Sequence, residues 1–117
     1  MNRNQPPRVL VTAGPTAEDI DPVRYLTNRS TGRMGIEVAR SVRRHGGTPL
    51  LVLGPTQLQP PPDIPTLHVR SADDMLGAVL ANLAWSQSLV MAAAVADYTP
   101  AEPPDHKLKK KDGDLRL

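Results

Sequence analysis

Apolar positions along the chain alternate between short continuous runs and stripes of helical spacing. Arg8–Ala13 is an apolar, β-branched run of the kind that forms a parallel strand buried on both faces. Gly14-Pro15-Thr16 breaks it. Ala17–Arg33 shows no period, contains Asp21-Pro22 and is expected to be a long irregular stretch. A loop of that length inside a compact domain is usually a functional element. Met34–His45 reads as a helix: Met34, Val38, Ala39 and Val42 fall on one stripe, with Arg40, Arg43 and Arg44 off it, and Gly46-Gly47 supplies the stop. Thr48–Leu53 is a second strand closed by Gly54-Pro55. Gln57–Pro65, with four prolines, is an extended loop, and Thr66–Val69 a short third strand. Ser71–Ala84 is a second helix. Ser71 and Asp74 form an acidic variant of the capping box, and Met75, Leu76, Val79, Leu80 and Leu83 form one apolar face. Ser88–Ala94, nearly all apolar, is a fourth strand expected to be buried on both faces, with Asp97 just past its carboxyl end.

Strands alternating with helices predict an α/β fold: a Rossmann-like, doubly wound parallel sheet in three α/β/α layers, with right-handed crossovers. Ligands of such sheets bind outside the carboxyl ends of the strands. Gly14, the 26–35 loop, Gly54 and Asp97 all fall at those ends. The 117 residues are expected to form a single nucleotide-binding domain. Residues 1–7 are a loose lead-in. Residues 100–117 are a proline-rich loop and basic tail. In that tail Asp112-Gly113 resembles a hairpin turn whose second strand, Leu115-Arg116-Leu117, is cut short. The sheet is therefore expected to be incomplete at the C-terminus, with residues 100–117 as the start of a further segment.

Composition removes several chemistries. The chain has no Cys, so disulfides, thiolate metal sites and cysteine nucleophiles are out. It has no Phe, one Trp and two Tyr, which leaves little for stacking on nucleic-acid bases. No apolar run approaches membrane-spanning length, and Met1–Arg8 lacks a signal-peptide core, so the default compartment is the cytoplasm. The net charge of +2 is uneven: residues 1–106 carry nine Arg against ten acids, and every Lys lies within Lys107–Lys111. That pattern suits a local anion site or a solvated end better than a nucleic-acid surface. His45, His68 and His106 lack the mutual spacing of metal ligands.

Each remaining candidate has two readings. Gly14, Gly32 and Gly35 with Thr12 could cradle a nucleotide phosphate at a strand-to-helix joint, or could be there for close packing alone; the spacing is neither G-x-G-x-x-G nor a Walker sequence. Asn28 is a neutral carboxamide able to bond a reacting carbonyl, or a turn residue bonded to its own backbone. Asp97 is a ligand or metal-binding acid, or a cap. Lys107 is a phosphate clamp, or part of a solvated charge run. Glu18, Asp19 and Asp21 read as surface charge or helix caps.

Three segments in the right order resemble one family. Gly14-Pro15-Thr16-Ala17-Glu18-Asp19-Ile20-Asp21-Pro22-Val23-Arg24-Tyr25-Leu26-Thr27-Asn28-Arg29-Ser30-Thr31-Gly32-Arg33-Met34-Gly35 is similar to the signature loop of the phosphopantothenate–cysteine ligases. Ala92-Ala93-Ala94-Val95-Ala96-Asp97-Tyr98 and Lys107-Leu108-Lys109-Lys110 are similar to that family's second and third motifs. The resemblance covers roughly residues 8–111 and its first motif is long enough to be highly specific.

The resemblance implies a ligase of coenzyme A biosynthesis. It would activate 4′-phosphopantothenate with CTP and Mg²⁺ to an acyl-cytidylate and pass the acyl group to the amine of cysteine. By the same resemblance Asn28 and Lys107 are catalytic; Gly14, Gly32, Met91, Ala92, Ala93, Asp97 and Lys107 contact the nucleotide; Asn28, Ser30 and Arg33 contact the substrate; and Asp97 is the candidate Mg²⁺ ligand. FMN would belong only to a separate decarboxylase domain, and a homodimer is implied for the full-length protein. The family's usual Ser-Ser-Gly-Lys is here Ser30-Thr31-Gly32-Arg33, and the family's domain extends beyond the lysine motif. Two other functions stand beside the ligase. One is a dinucleotide-binding reductase, disfavoured because the second strand ends in Leu53-Gly54-Pro55 with no acid to hold an adenosine ribose. The other is a fragment that binds phosphopantothenate or CTP without turnover.

Overall fold

The fold is taken from a computed structural model, which describes residues 5–96 and 98–101. The elements run β1 (Arg8–Ala13), β2 (Ala17–Asp19), β3 (Tyr25–Thr27), α1 (Arg33–Arg44), β4 (Thr48–Leu53), β5 (Thr66–His68), α2 (Ala72–Asn82) and β6 (Ser88–Met91). Four strands form a parallel sheet in the order β5-β4-β1-β6. β1 is central, and Thr12 lies opposite Val52 on one side and Met91 on the other. The chain winds outward from β1 through α1 to β4 and β5. It then crosses back over α2 to place β6 against the other edge of β1. The reversal puts the switch point of the doubly wound sheet between β1 and β6.

Alternating side chains of the strands build two cores. Val11, Ala13, Leu51 and Leu53 pack with Ile36 and Ala39 of α1 and with Ile64. Leu10 and Val52 pack with Met75 of α2, flanked by Val79 and Ala93. The helices therefore lie on opposite faces of the sheet, and the expected three layers are present. No helix intervenes between β4 and β5. Ile64, 4% exposed, plugs the α1-side core from that loop, and Asp63 ties it to Arg43 of α1 at 3.4 Å. Helix α1 lies close on β1: a Cβ on Gly35 would sit 2.3 Å from Cβ of Ala13.

Four expectations are corrected. The stretch Ala17–Arg33 is not irregular throughout, since β2 and β3 pair antiparallel, Glu18 opposite Leu26. Asp21 makes the hairpin turn, accepting the Val23 and Arg24 amides on Oδ1 and the Arg24 guanidinium on Oδ2. Three-residue strands are too short to show a period, which is why the pattern hid them. The fourth strand stops at Met91 and is not buried on both faces: Ser88, Leu89 and Met91 are exposed, and among the described residues β6 is an edge strand. Ala94 continues only as a single parallel bridge to Pro15. On α2 only Met75 of the predicted face is fully buried, while Leu76, Leu80 and Leu83 are exposed, because the helix lies over the β1–β4 side of the sheet. On α1 the buried line is Gly35, Ile36 and Ala39, with Met34 at 73% exposed. Met34 is in the first turn, past the end of the strands below it.

Candidate functional site

The carboxyl ends of β1, β4 and β6 meet at three turns of small residues. Gly14 and Gly32 both have positive φ, +84° and +83°, a conformation that favours glycine. A Cβ on Gly32 would lie 3.0 Å from Cα of Gly14, and one on Gly54 would lie 1.8 Å from the carbonyl oxygen of Pro15. Only hydrogen fits at these contacts. The three backbones therefore close on one another and bring the N-terminus of α1 down onto the sheet's end.

The two helices begin in opposite ways. At α2 the cap is complete: the Ser71 hydroxyl accepts the Asp74 amide at 3.0 Å and Asp74 accepts the Ser71 amide at 3.1 Å. Asp73 adds a second first-turn acid. The Asp74 carboxyl is held below its usual range, first by the Ser71 amide bonded to it. A buried carboxylate from β2, Glu18, also accepts the Ala72 amide at 2.8 Å. At α1 the N-cap is Gly32, no side chain caps the helix, and the first turn holds no acid. The hydroxyls of Ser30 and Thr31 reach the Gly32 and Arg33 amides only at 3.4 Å. Arg29 and Arg33 are exposed there and form no ion pair among the described residues. The positive end of α2 is thus met by the protein's own acids, whereas the positive end of α1 is flanked by cations.

The first two sequence motifs, far apart in the chain, touch. The Asn28 carboxamide donates from Nδ2 to the Ala94 carbonyl at 3.0 Å. Thr16 holds the same segment, its amide donating to the Ala94 carbonyl at 3.2 Å and its hydroxyl accepting the Ala96 amide at 2.8 Å. The Thr12 hydroxyl accepts the Ala93 amide at 3.3 Å, and Ala92 and Ala94 donate to the carbonyls of Thr12 and Gly14. On the other flank the hairpin is pinned by Asp19, which pairs with Arg70 at 2.6 Å while the guanidinium lies over the Tyr25 ring, 4.9 Å from its centroid. The hydrogen bonds that Arg70 donates to the Asp19 carboxylate raise its pKa above the ordinary value.

Four of the predicted site residues line two clefts that share no lining residue. Asn28 and Ser30 line one of about 330 Å³, with Tyr25, Thr27, Thr56 and Leu58 among its walls. Met91 and Ala93 line an apolar one of about 220 Å³, with Thr12, Leu76 and Val95. Gly14, Gly32 and Ala92 line neither cleft, and Arg33 is exposed at the start of α1. Asp97, His106 and Lys107 lie outside the described residues. Among the described residues no three acids or histidines are grouped to hold a metal. Glu18 and Asp21, the buried acids nearest the site, are already bonded to amides, a hydroxyl and a guanidinium. The described donor set thus does not fit a protein-held Mg²⁺. The sequence offered Thr12 only as part of a possible phosphate cradle and gave Thr16 and Glu18 no site role; the bonds these three make across the chain were not foreseen. Their partners lie about eighty positions away, so no local pattern marks them.

The model of the family described as "DNA/pantothenate metabolism flavoprotein C-terminal domain" matches residues 5–117. A coenzyme A biosynthesis bifunctional protein CoaBC of Bacillus subtilis (strain 168) is 46% identical over 110 residues, 93% of this chain and 27% of that protein. A protein of an unknown prokaryotic organism, named cysteine/cysteine sulfinic acid decarboxylase, is 44% identical over 92% of this chain and 30% of its own length. A crystal structure of the C-terminal domain of a coenzyme A biosynthesis bifunctional protein CoaBC superposes with a TM-score of 0.79 at 47% identity. It covers 84% of this chain and 50% of that one. The chain thus spans about a quarter of the length of the curated relatives it matches.

Proposed function

The chain belongs to the DNA/pantothenate metabolism flavoprotein C-terminal domain family, and on that premise we propose that it is the nucleotide-binding part of a CTP-dependent phosphopantothenate–cysteine ligase. The observation that carries the reading is the unfilled positive end of α1, with Gly32 as its cap, no first-turn acid, and Arg29 and Arg33 beside it. Activating a carboxylate with a nucleoside triphosphate brings two anions together. Amides and guanidinium groups have to offset that repulsion.

In this reading a carboxylate oxygen of 4′-phosphopantothenate attacks the α-phosphorus of CTP, and the bond to pyrophosphate breaks. The cysteine amine then attacks the acyl carbon, CMP leaves with the bonding pair, and the amine loses a proton. Gly14, Gly32 and the backbone of Met91–Ala93 face the nucleotide; Ser30 and Arg33 face the substrate. Asn28 has two N–H donors, of which Ala94 occupies one. That bond orients the amide so that the second donor reaches the acyl oxygen. Asp97 and Lys107 are the remaining nucleotide contacts of the proposal. Magnesium would enter bound to the triphosphate, where it would offset phosphate charge. The active form is a homodimer in the cytoplasm. FMN belongs to a neighbouring decarboxylase domain.

The test uses the full-length protein. Pyrophosphate release that requires both CTP and phosphopantothenate, with CMP formed only when cysteine is added, is the expected result. Binding of NADPH in preference to CTP, without pyrophosphate release, would overturn the reading in favour of a reductase.

A further inference from the structure

Glu18 has no part in the chemistry proposed above, yet it is a carboxylate only 6% exposed. Burial of a charged group is costly unless its oxygens are bonded, and the two oxygens of Glu18 are divided between separate elements. Oε1 accepts the Ala72 amide at the start of α2, at 2.8 Å. Oε2 accepts the Thr99 hydroxyl at 3.2 Å. The capping box of α2 serves the Ser71 and Asp74 amides, and Glu18 takes the Ala72 amide that the box leaves over. Beyond that cap, Glu18 adds the connection to Thr99.

Thr99 is the far end of the segment whose near end is held by Thr12. Between them, Thr16 takes Ala94 and Ala96, and Asn28 takes Ala94. Residues 16 and 18 are two apart on one extended stretch and so point the same way. Thr16 and Glu18 thereby reach successive points, 96 and 99, along the passing chain. The result is a seam from β1 through the hairpin that holds Ala92, Ala93, Ala94, Ala96 and Thr99. One end of the seam is anchored on α2 and the other on the strand that carries the cradle.

We propose that Glu18 is a positioning residue: by joining Thr99 to the α2 N-terminus it helps to hold Ala92–Ala96 in place, and with them the face that they turn to the nucleotide. The proposal rests on the nucleotide reading above and adds a residue to it. The role needs two hydrogen bonds and no net charge. Glutamine can supply both, its carbonyl accepting from Ala72 and its amide donating to the Thr99 hydroxyl. Alanine can supply neither.

The experiment compares wild type, Glu18→Gln, Glu18→Ala and Thr99→Val in the full-length protein. Amide hydrogen exchange is followed in the peptide spanning residues 90–100, and KM is measured separately for CTP and for cysteine. Loss of such buried bonds should speed exchange in that peptide about tenfold or more in Glu18→Ala. KM for CTP should rise by a similar factor, with KM for cysteine nearly unchanged. Thr99→Val should reproduce the loosening while the α2 peptide stays protected, and Glu18→Gln should stay within about threefold of wild type. Mere loss of folded protein would lower the apparent kcat and leave both KM values alone. Glu18→Gln as damaging as Glu18→Ala would mean the charge itself is required and would overturn the proposal. So would unchanged exchange in Glu18→Ala. A wild-type protein that does not ligate would sink the nucleotide reading, and the exchange comparison would still decide whether Glu18 holds the segment.

Discussion

An asparagine amide offers two donors and one acceptor, and Asn28 uses one donor on the Ala94 carbonyl. Asn28→Asp would replace that donor with a carboxylate oxygen facing a carbonyl oxygen, and would set a negative charge where the acyl oxygen develops one. CTP binding should survive within a few-fold, while ligation falls about 10²-fold or more, the usual cost of losing a preorganised donor. Normal ligation with lost CTP binding would refute the assignment. Asn28 was legible in the sequence because its neighbours, Arg29-Ser30-Thr31-Gly32, mark a loop at a helix start. Glu18 was not. It sits among three acids that look like surface charge, and its significance depends on Ala72 and Thr99, neither adjacent in sequence.

At the level of elements, β1 and β4 were legible to the residue because a strand buried on both faces writes itself as a continuous apolar run. The ends of α1 were also readable, from Gly32 and Gly46-Gly47. The hairpin was not, since β2 and β3 are held by tertiary bonds and a buried Asp21 turn. β6 was over-read, because apolarity alone does not tell a central strand from an edge one. The contrast between the helix starts can be measured. Ser71→Ala should cost about 1 kcal/mol of stability by urea denaturation. Asp74 gives a pH dependence of definite sign. Its folded pKa lies below that of the unfolded chain, so its contribution is complete above about pH 4, and it is lost as pH falls through the lower folded value. The difference in Tm between wild type and Asp74→Asn should therefore be present at neutral pH and shrink in acid. Because Asp74 is exposed, the difference should be small; a gap that widens in acid would contradict the capping role.

At the scale of the whole molecule, burial is uneven across the sheet. The β1–β4 centre is sealed: Leu10, Val11, Leu51 and Val52 are all 0% exposed. On the β6 side Leu76, Leu80, Leu83, Leu89 and Met91 face outward among the described residues. Leu51→Ala should then destabilise by about 2–5 kcal/mol, as large-to-small changes in a packed core do. Leu80→Ala, at a position 60% exposed, should stay within about 0.5 kcal/mol. Equal losses in chemical denaturation of these two variants would mean that the outer face of α2 is covered in solution. Of this larger plan the sequence conveyed the three layers and the gathering of Gly14, Gly54 and the 26–35 loop at the carboxyl end of the sheet. It did not convey which apolar residues go unburied, because helical periodicity reports a stripe and not what lies opposite it.

The seam that joins Asn28 to Ala94 spans 66 positions, and that joining Glu18 to Thr99 spans 81. A ribosome makes the chain from one end, at about 5–20 residues per second, so the signature hairpin emerges on the order of ten seconds before the segment that completes it. Through that interval the Glu18 carboxylate stays hydrated, and the hairpin has neither Ala94 nor Thr99 to grip. The carboxyl end of the sheet is therefore the last part of this region to mature during translation, and a nascent chain arrested before β6 would hold most of the core and none of the finished seam.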